Sequence, residues 1–303
     1  MAARPGRLRE SLTGYAFVLP ALVLFGVLGV YTLGYALLLS LARWNGFTPE
    51  WIWVGLNNYV DVLVREPILA PLVRDAAAHT AVVMIAVPVL TVAAGLPLAM
   101  ALNRIRFLRS TLRTLFFLPY VTTGIAVFYA WTYVLQPEGS LNFILKHLGL
   151  GSIAQPQGFL GNPDTALPTL IVVMAWSSIP VAVLLYLSGL QAIDPAVLDA
   201  ASIDGAGGGR TLTSVIWPLL RPITAAVILL NLRDALQSFQ IFLLMTNGGP
   251  GGHTNVLGLQ AYNLAFFSQL RPTLGLASAL GWILFVAALV LAAVNLRVLR
   301  SRT

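Results

Sequence analysis

The chain has 303 residues, of which 58% are apolar, 10% are charged and none is cysteine. A soluble domain normally has about 45–50% apolar and about 25% charged residues, so this composition lacks the polar surface of a water-soluble globule. The absence of cysteine excludes disulfides, thiolate metal sites and a cysteine nucleophile.

Long apolar stretches predict the membrane spans. A helix needs about 20 mostly apolar residues to cross about 30 Å of hydrocarbon, because its backbone polar groups must be satisfied within the segment. Six stretches qualify: Leu12–Leu41, Ala76–Leu102, Leu115–Leu135, Leu167–Gln191, Ile223–Met245 and Thr273–Leu296. The first is too long for the apolar core of a signal peptide, so we expect it to be retained. The sequence predicts an all-α polytopic membrane protein with six transmembrane helices, forming one domain over residues 1–303.

The basic residues predict the orientation of these spans. With a cytoplasmic N-terminus, most of the 18 lysines and arginines fall in segments that face the cytoplasm, including Arg104, Arg106, Arg109 and Arg113. Anionic lipid headgroups beside these segments explain the formal charge of +7 better than a nucleic acid does. Both termini are therefore predicted to be cytoplasmic, and membrane lipid rather than nucleic acid is the expected partner of the basic residues.

Residues 192–222, between the fourth and fifth predicted spans, have the local signals of an ordered loop. Asp194 followed by Pro195 is typical of a helix start, with an N-cap and a proline in the first helical position. Gly205 can adopt the positive φ that ends such a helix. The sequence predicts a short helix, a glycine-rich turn and a second short helix stopped by Pro218. Ala200 and Ala201 give the first helix a smooth flank, which indicates a docking element.

Chemical sites are not supported by the sequence. The glycine-rich stretch 205–210 lacks the Lys-Ser/Thr of a Walker motif and the final glycine of a dinucleotide fingerprint, so no ATP site is predicted. The three histidines lie far apart without clustered carboxylates, which argues against a metal site. No acid, base and nucleophile converge, so a membrane-embedded enzyme is disfavoured.

Polar residues within the fifth predicted span indicate a function in the membrane. Charges near the bilayer centre are costly, with estimates starting at about 2.5 kcal/mol, so they usually face a protein interior or a water-filled path. Arg233, Gln237 and Gln240 share a helical stripe at i, i+4 and i+7, and Asp234 lies beside it. We predict that the stripe lines a translocation path. The alternative is a buried polar network between helices or with a partner.

Aromatic residues in the third and fourth predicted spans allow two interpretations. Tyr129 and Tyr133 fall on one face of a helix, where rings can stack on a sugar, but tyrosines near the outer end of a span also form interfacial belts. Trp176 precedes Ser177 and Ser178, and Pro180 follows, which is typical of a kinked segment. We predict Tyr129, Tyr133 and Trp176 as secondary candidates for lining the translocation path.

The ordered loop carries a resemblance to a known family. Asp199-Ala200-Ala201, then Gly205, then Val215-Ile216-Trp217-Pro218 resembles the EAA signature of bacterial ABC importer permeases, whose pattern is Glu-Ala-Ala, three residues, Gly, nine residues, Ile-x-Leu-Pro. The spacing matches throughout. Asp199 replaces the glutamate of the pattern, Val215 its isoleucine and Trp217 its leucine.

Other motifs are similar to the sugar-type, MalF/UgpA-like branch of that family. Residues 54–59 read VGLNNY, similar to the Gly-Leu-x-Asn-Tyr element of the first external loop. Residues 246–250 read TNGGP, and Tyr262 with Ala265 and Phe266 resembles the Tyr-x-x-Ala-Phe element. Gly275 and Ala279 match the small residues at the start of the last span and indicate close helix packing. The resemblance covers nearly the whole chain.

The resemblance implies a permease subunit in the bacterial cytoplasmic membrane. In this scheme it pairs with a second homologous permease, two ABC ATPase subunits bind ATP and Mg and dock on the loop, and an extracytoplasmic solute-binding protein delivers the solute. The chain itself needs no cofactor. The resemblance assigns ATPase coupling to Asp199, Ala200, Ala201, Asp204, Gly205 and Pro218.

The solute and the energy source leave alternatives open. The family transports carbohydrates, and its UgpA-type members transport glycerol-phosphate or glycerophosphodiester solutes, which Arg233 is suited to attract. Asp234 beside it can neutralise that charge, so a neutral sugar is an equal expectation. An ion-gradient-driven secondary transporter is the second hypothesis, but Asp234 is its one candidate carboxylate within the predicted spans.

Overall fold

The computed structural model describes residues 5–46, 49, 51–105, 124–267 and 274–300, and within these ranges the side chains of residues 15–294. Its helices are α1 Pro5–Leu24, α2 Thr32–Ser40, α3 Asn57–Val60, α4 Leu69–Arg104, α5 Ile125–Val134, α6 Ser140–His147, α7 Pro163–Ala192, α8 Pro195–Ile203, α9 Gly208–Thr211, α10 Trp217–Gln237, α11 Gln240–Met245, α12 Leu257–Phe266 and α13 Leu274–Arg300. Three π-helical stretches, Phe25–Tyr31, Asp61–Arg65 and Leu212–Ile216, continue from α1, α3 and α9. The strands β1 Ala42–Arg43 and β2 Ile52–Trp53 pair antiparallel.

Among the described residues, five helical segments are long and apolar enough to cross a membrane: Tyr15–Ser40, Leu69–Arg104, Pro163–Ala192, Gly208–Gln237 and Leu274–Val294. They correspond to five of the six predicted spans and confirm an all-α polytopic membrane protein. The third predicted span lies largely outside the described residues, and its described part is α5. Arg106, Arg109 and Arg113 also lie outside them.

Two details of the sequence predictions are wrong, one in the loop 192–222 and one in the fifth span. Pro218 does not stop a helix, because it lies in the first turn of α10 and the helical path from Gly208 to Gln237 is continuous. The backbone N–H of Trp217 donates to the carbonyl of Leu212, so the π-helical stretch leads directly into α10. Proline has no N–H, so Pro218 leaves no donor unpaired in the first turn of α10. The fifth predicted span is also interrupted: α10 ends at Gln237 and α11 begins at Gln240.

In the described residues, the two larger apolar clusters of the core lie one above the other along α4 and α7, and a third, smaller cluster joins Val62, Val73 and Leu280. Val83 and Val87 of α4 meet Leu170 and Val173 of α7 in the first cluster. Leu96, Ala99 and Leu102 meet Tyr186, Leu187 and Leu190 in the second. Since both helices contribute their early residues to one cluster and their late residues to the other, α4 and α7 run parallel. Helix α10 runs antiparallel to both, because Leu220 belongs to the second cluster and Ala235 to the first.

This arrangement places the connections on two faces. The starts of α4 and α7 lie at one face, and the connections 135–162 and 246–256 and the described residues of the connection 41–68 lie there with them. His79 Nδ1 is 2.9 Å from the Asn255 carbonyl, and the N–H of Leu257 donates to Thr80 Oγ1 at 3.0 Å. The ends of α4 and α7 lie at the opposite face. The loop 193–207 follows α7, so it is separated from the other three connections by the length of the helices.

The first connection is held against the ends of two helices. Asn58 Nδ2 donates to the carbonyls of Ser40 and Ala42, at 2.8 and 2.9 Å. A Cβ atom on Gly275, at the start of α13, would run into the Ala42 carbonyl and the Asn58 amide. Glycine is therefore required at position 275 for the close approach of α13 to this connection, in agreement with the small-residue packing predicted there.

Candidate functional site

The interruption between α10 and α11 opens into a cavity of about 350 Å³. Ser238 has an extended backbone, with ψ 118°, and Phe239 follows with φ −132°, so the helical path breaks at these two residues. Irregular backbone at membrane depth is tolerated where it lines a cavity or is buried in protein. The polar side chains that line the cavity are Ser177, Ser178, Asn231, Asp234, Gln237, Ser238 and Gln240.

A second cavity, of about 640 Å³, adjoins the first. Ser177, Ser178, Asn231 and Asp234 line both, and the second cavity adds Arg233. Both volumes fall in the range of about 300–1,000 Å³ that is usual for small-molecule sites. Hydroxyl, amide and charged groups from α7 and α10 therefore converge on one polar region between the two apolar clusters.

Asn231 is fixed in this region by two hydrogen bonds. Its Oδ1 accepts from Thr91 Oγ1 on α4 at 3.2 Å, and its Nδ2 donates to the Val227 carbonyl at 2.8 Å. Asn231 and Thr91 are both buried. The pair joins α4 to α10 at the wall of the cavities. Sequence reasoning missed Asn231, although its spacing of three residues from Asp234 places the two on one side of a helix.

Arg233 and Asp234 are exposed in the isolated chain and form no ion pair within 4 Å, either with each other or with another group in the described part of the chain. Arg233 also lines an apolar groove of about 430 Å³ that α10 forms with α13, together with Gln237, Ala288 and Leu291. Gln237 thus lies between a polar cavity and a groove toward the last helix.

The residues of the predicted polar stripe do not all share one helical face. Gln237 and Gln240 line one cavity, as expected for neighbours, but the break at 238–239 separates them, so they do not share a helical face. The i, i+7 spacing assumed an uninterrupted helix. Arg233 reaches the second cavity and not the first.

The predicted aromatic candidates lie outside these cavities. Tyr129 and Tyr133 are exposed, and neither they nor Trp176 line the described cavities. Trp176 packs edge-on against Trp131, with ring centroids 5.2 Å apart. Sequence reasoning missed the two rings that do line the first cavity, Phe128 and Phe239. A phenylalanine in an apolar span carries no polar signal, so the sequence alone does not distinguish a lining ring from a core ring.

The loop at the opposite face has the local structure that the sequence predicts. The Asp194 carboxylate accepts from the N–H of Ala196 at 2.9 Å, and Pro195 begins α8. At the other end, Gly205 has φ +73°, its N–H donates to the Ser202 carbonyl at 3.1 Å, and the N–H of Ala206 donates to the Ala201 carbonyl at 2.9 Å. These two bonds define a Schellman motif with glycine in the left-handed position.

Helix α8 leaves most of its surface uncovered. Asp199, Ala200 and Asp204 are exposed, and Ile203 is 86% exposed, which is unusual for a large apolar side chain. Ala201, in contrast, is buried within the chain. The smooth flank predicted from both alanines is therefore formed by Ala200, while Ala201 packs inward.

A polytopic helical bundle with a polar cavity at a broken helix and an ordered, exposed loop at the opposite face defines a membrane transport subunit. The family model for the inner membrane component of binding-protein-dependent transport systems matches residues 91–302. This chain belongs to that family. It is a multi-pass membrane protein, a permease subunit of an ABC importer, and it has no ATPase site of its own.

Relatives and a solved structure are similar over nearly the whole chain. The trehalose/maltose transport system permease protein MalF of Thermococcus litoralis is 32% identical over 296 residues, which cover 97% of this chain and 96% of MalF. The sn-glycerol-3-phosphate transport system permease protein UgpA of Agrobacterium fabrum is 29% identical and covers 97% of this chain and 96% of UgpA. A chain of a bacterial ABC transporter involved in alginate import has the same fold, with a TM-score of 0.76, 22% identity and 98% of both chains covered.

Proposed function

We propose that this chain forms half of the translocation path of an importer for a carbohydrate, paired with a second homologous permease. The observation that carries the proposal is the polar region at the broken helix, where serine, asparagine and glutamine groups line about 350 Å³ beside Phe128 and Phe239. Hydroxyl and amide groups hydrogen-bond to sugar hydroxyls, and flat rings cover the apolar faces of a sugar. The names of MalF and of the alginate transporter refer to carbohydrates, which supports this class of solute.

A glycerol-phosphate solute is the second candidate, and Arg233 favours it. This guanidinium lines the larger cavity without an ion pair in the described part of the chain, and arginine is suited to bind phosphate. UgpA, a relative of similar coverage, is named for sn-glycerol-3-phosphate. Asp234 lines the same cavity and offsets the charge, so the first candidate keeps priority.

Uptake by proteoliposomes that contain the complete transporter separates the two candidates. We expect wild type to accumulate labelled maltose or trehalose, and Arg233→Ala to reduce that uptake while the complex still assembles. If glycerol-3-phosphate alone accumulates and Arg233→Ala abolishes its uptake, the second candidate is correct. If the Arg233→Ala variant takes up every solute as wild type does, Arg233 does not line the translocation path.

We propose further that α8 and the Schellman turn dock on partner ATPases, which bind ATP and Mg, and that a solute-binding protein docks on the opposite face. The exposed Ile203 and Ala200, flanked by Asp199 and Asp204, give α8 a small apolar surface with acidic edges. A bacterial alginate ABC transporter that contains a chain of similar fold has been crystallised in complex with a periplasmic protein that holds an alginate pentasaccharide, which supports the second partner.

This arrangement requires α8 and both termini to be cytoplasmic. The chain has no cysteine, so single cysteines report orientation without background. In intact cells, an impermeant maleimide should label Gln157→Cys and leave Ser202→Cys unlabelled until the cells are opened and the ATPases are stripped from the membrane. Labelling of Ser202→Cys in intact cells would reverse the orientation. Co-purification with an ATPase from the same operon tests the partnership itself.

A further inference from the structure

The first connection contains a helical segment with buried polar residues on its inner side and exposed large apolar residues on its outer side. Residues 57–65 form this segment, which combines α3 with the π-helical stretch after it, and we call it the connection helix. Its inward side carries two polar residues, Asn58 and Asp61, which are 1% and 5% exposed, and the fully buried Val62, which packs with Val73 and Leu280. The exposed residues of this segment include Asn57 and Arg65, but most of them, with the residue just before the segment, are large and apolar: Leu56, Val60, Leu63 and Val64. A helix at the water surface of a protein normally presents charged and polar side chains outward rather than a group of large apolar ones.

The inward polar groups are satisfied, so the orientation of the connection helix is fixed. Asn58 donates to two carbonyls at the end of α2 and the start of β1, and the Tyr59 hydroxyl is 2.7 Å from Ser40 Oγ. Arg65 Nη1 is 3.0 Å from Asp61 Oδ1. Rolling the helix to cover its apolar side would break the contacts of Asn58 and Tyr59 and the 3.9 Å contact between Asp61 Oδ2 and Arg43 Nη2, and it would leave buried polar groups unpaired. The apolar side therefore stays outward.

The position of the connection helix along the spans indicates what its apolar side faces. The apolar helical path Tyr15–Ser40 has 26 residues and is about 39 Å long at about 1.5 Å per residue. This exceeds the hydrocarbon thickness of about 30 Å and approaches the roughly 40–45 Å that includes the headgroups. Since Asn58 is bonded to Ser40, the connection helix lies at the level where hydrocarbon gives way to headgroups.

Exposed side chains extend the apolar side in both directions. Trp51, Ile52 and Trp53 precede the connection helix and Ile68 follows it, and all are exposed. The adjoining membrane-spanning helices also carry exposed apolar side chains close to the connection in sequence, such as Leu38 on α2 and Leu72 on α4. Tryptophan is enriched at this depth, because its ring suits the boundary between hydrocarbon and water.

We propose that residues 51–68 form an interfacial anchor, with the outward side of the connection helix inserted among the phospholipids of the leaflet opposite the α8 loop. The anchor fixes the depth of the first two spans and of α13, which packs against the same connection through Gly275. In this arrangement Asn58 and Asp61 hold the anchor to the protein and the apolar side chains hold it to the lipid.

Site-directed spin labelling of the complete transporter in nanodiscs of phosphatidylethanolamine and phosphatidylglycerol at 3:1 tests the proposal. Single cysteines replace Leu56 and Val64, on the outward side, while Gln157→Cys, in the exposed connection before α7, is the matched water reference. Spin-labelled phospholipids calibrate depth. We expect the ratio of collision with oxygen to collision with a water-soluble nickel complex to be several-fold higher at positions 56 and 64 than at 157.

Two results would overturn the proposal. A ratio at 56 and 64 equal to that at 157 would mean that the apolar side faces water. Protection of both positions from both reagents would mean that a protein, such as the second permease or the solute-binding protein, covers this side. If the cysteine variants do not assemble, native fluorescence gives the same answer. Brominated phospholipid should quench a larger fraction of the tryptophan fluorescence in wild type than in a Trp51→Phe/Trp53→Phe variant. As the control, Trp131→Phe should not lower the quenched fraction. Equal quenched fractions in all three proteins would refute the anchor.

Discussion

Gly205 offers a sharp test of the ordered loop, because its importance rests on backbone conformation alone. Its φ is +73°, and a Cβ atom placed on it would meet nothing within 4 Å. Gly205→Ala therefore adds no steric contact with neighbouring residues. The left-handed conformation costs a residue with a Cβ about 1–2 kcal/mol, and a β-branched residue is less tolerant still. The Schellman end of α8 should be weakened by that amount.

This cost converts directly into an effect on docking. A difference of about 1–2 kcal/mol changes an equilibrium by about 5- to 30-fold, so the capped form of the loop loses population by at most that factor. If α8 docks in its capped form, the apparent Kd for the ATPase subunits should rise by up to the same factor, and solute-stimulated ATP hydrolysis should fall with it. Both the rise in apparent Kd and the fall in stimulated ATP hydrolysis should be larger for Gly205→Val than for Gly205→Ala.

Gly209 provides the matched control. A Cβ on Gly209 also meets nothing within 4 Å, but Gly209 lies within α9, where alanine is favoured over glycine by about 0.5–1 kcal/mol. Gly209→Ala should leave ATPase affinity unchanged or slightly improved. Equal behaviour of Gly205→Val, Gly209→Ala and wild type in affinity and in stimulated hydrolysis would refute the assignment of the loop to coupling.

The remaining predictions concern buried polar residues. Asn58→Ala removes two hydrogen bonds and leaves two carbonyls beside α2 unpaired, which should lower the free energy of unfolding by about 2–4 kcal/mol. The fall in Tm of the purified permease measures this loss. A change below about 0.5 kcal/mol would show that Asn58 does not hold the first connection in place. Asn231→Leu removes the bond from Thr91 at the cavity wall, so we expect solute uptake to fall more than assembly does. Thr91→Val serves as its control, because it breaks the same bond without altering the cavity lining; if Thr91→Val matches wild type while Asn231→Leu abolishes uptake, Asn231 acts on the solute rather than through α4.

Local features of this protein are predictable from the sequence because their causes lie within a few residues of each other. The spans depend on hydropathy over about 20 residues, and α8 depends on Asp194, Pro195 and Gly205, each acting on its immediate neighbours. The sequence correctly predicts the helical membrane class, the start and end of α8 and the close approach at Gly275.

The polar region is decided by tertiary structure. Ser177 and Asn231 lie more than 50 residues apart, and they meet because α4 and α7 run parallel while α10 runs antiparallel between two apolar clusters. The break after Gln237 has no proline or glycine to mark it, so hydropathy predicted an unbroken span. The cavity that tolerates the broken backbone is formed by neighbouring helices. The sequence of the interrupted segment alone therefore does not reveal the break.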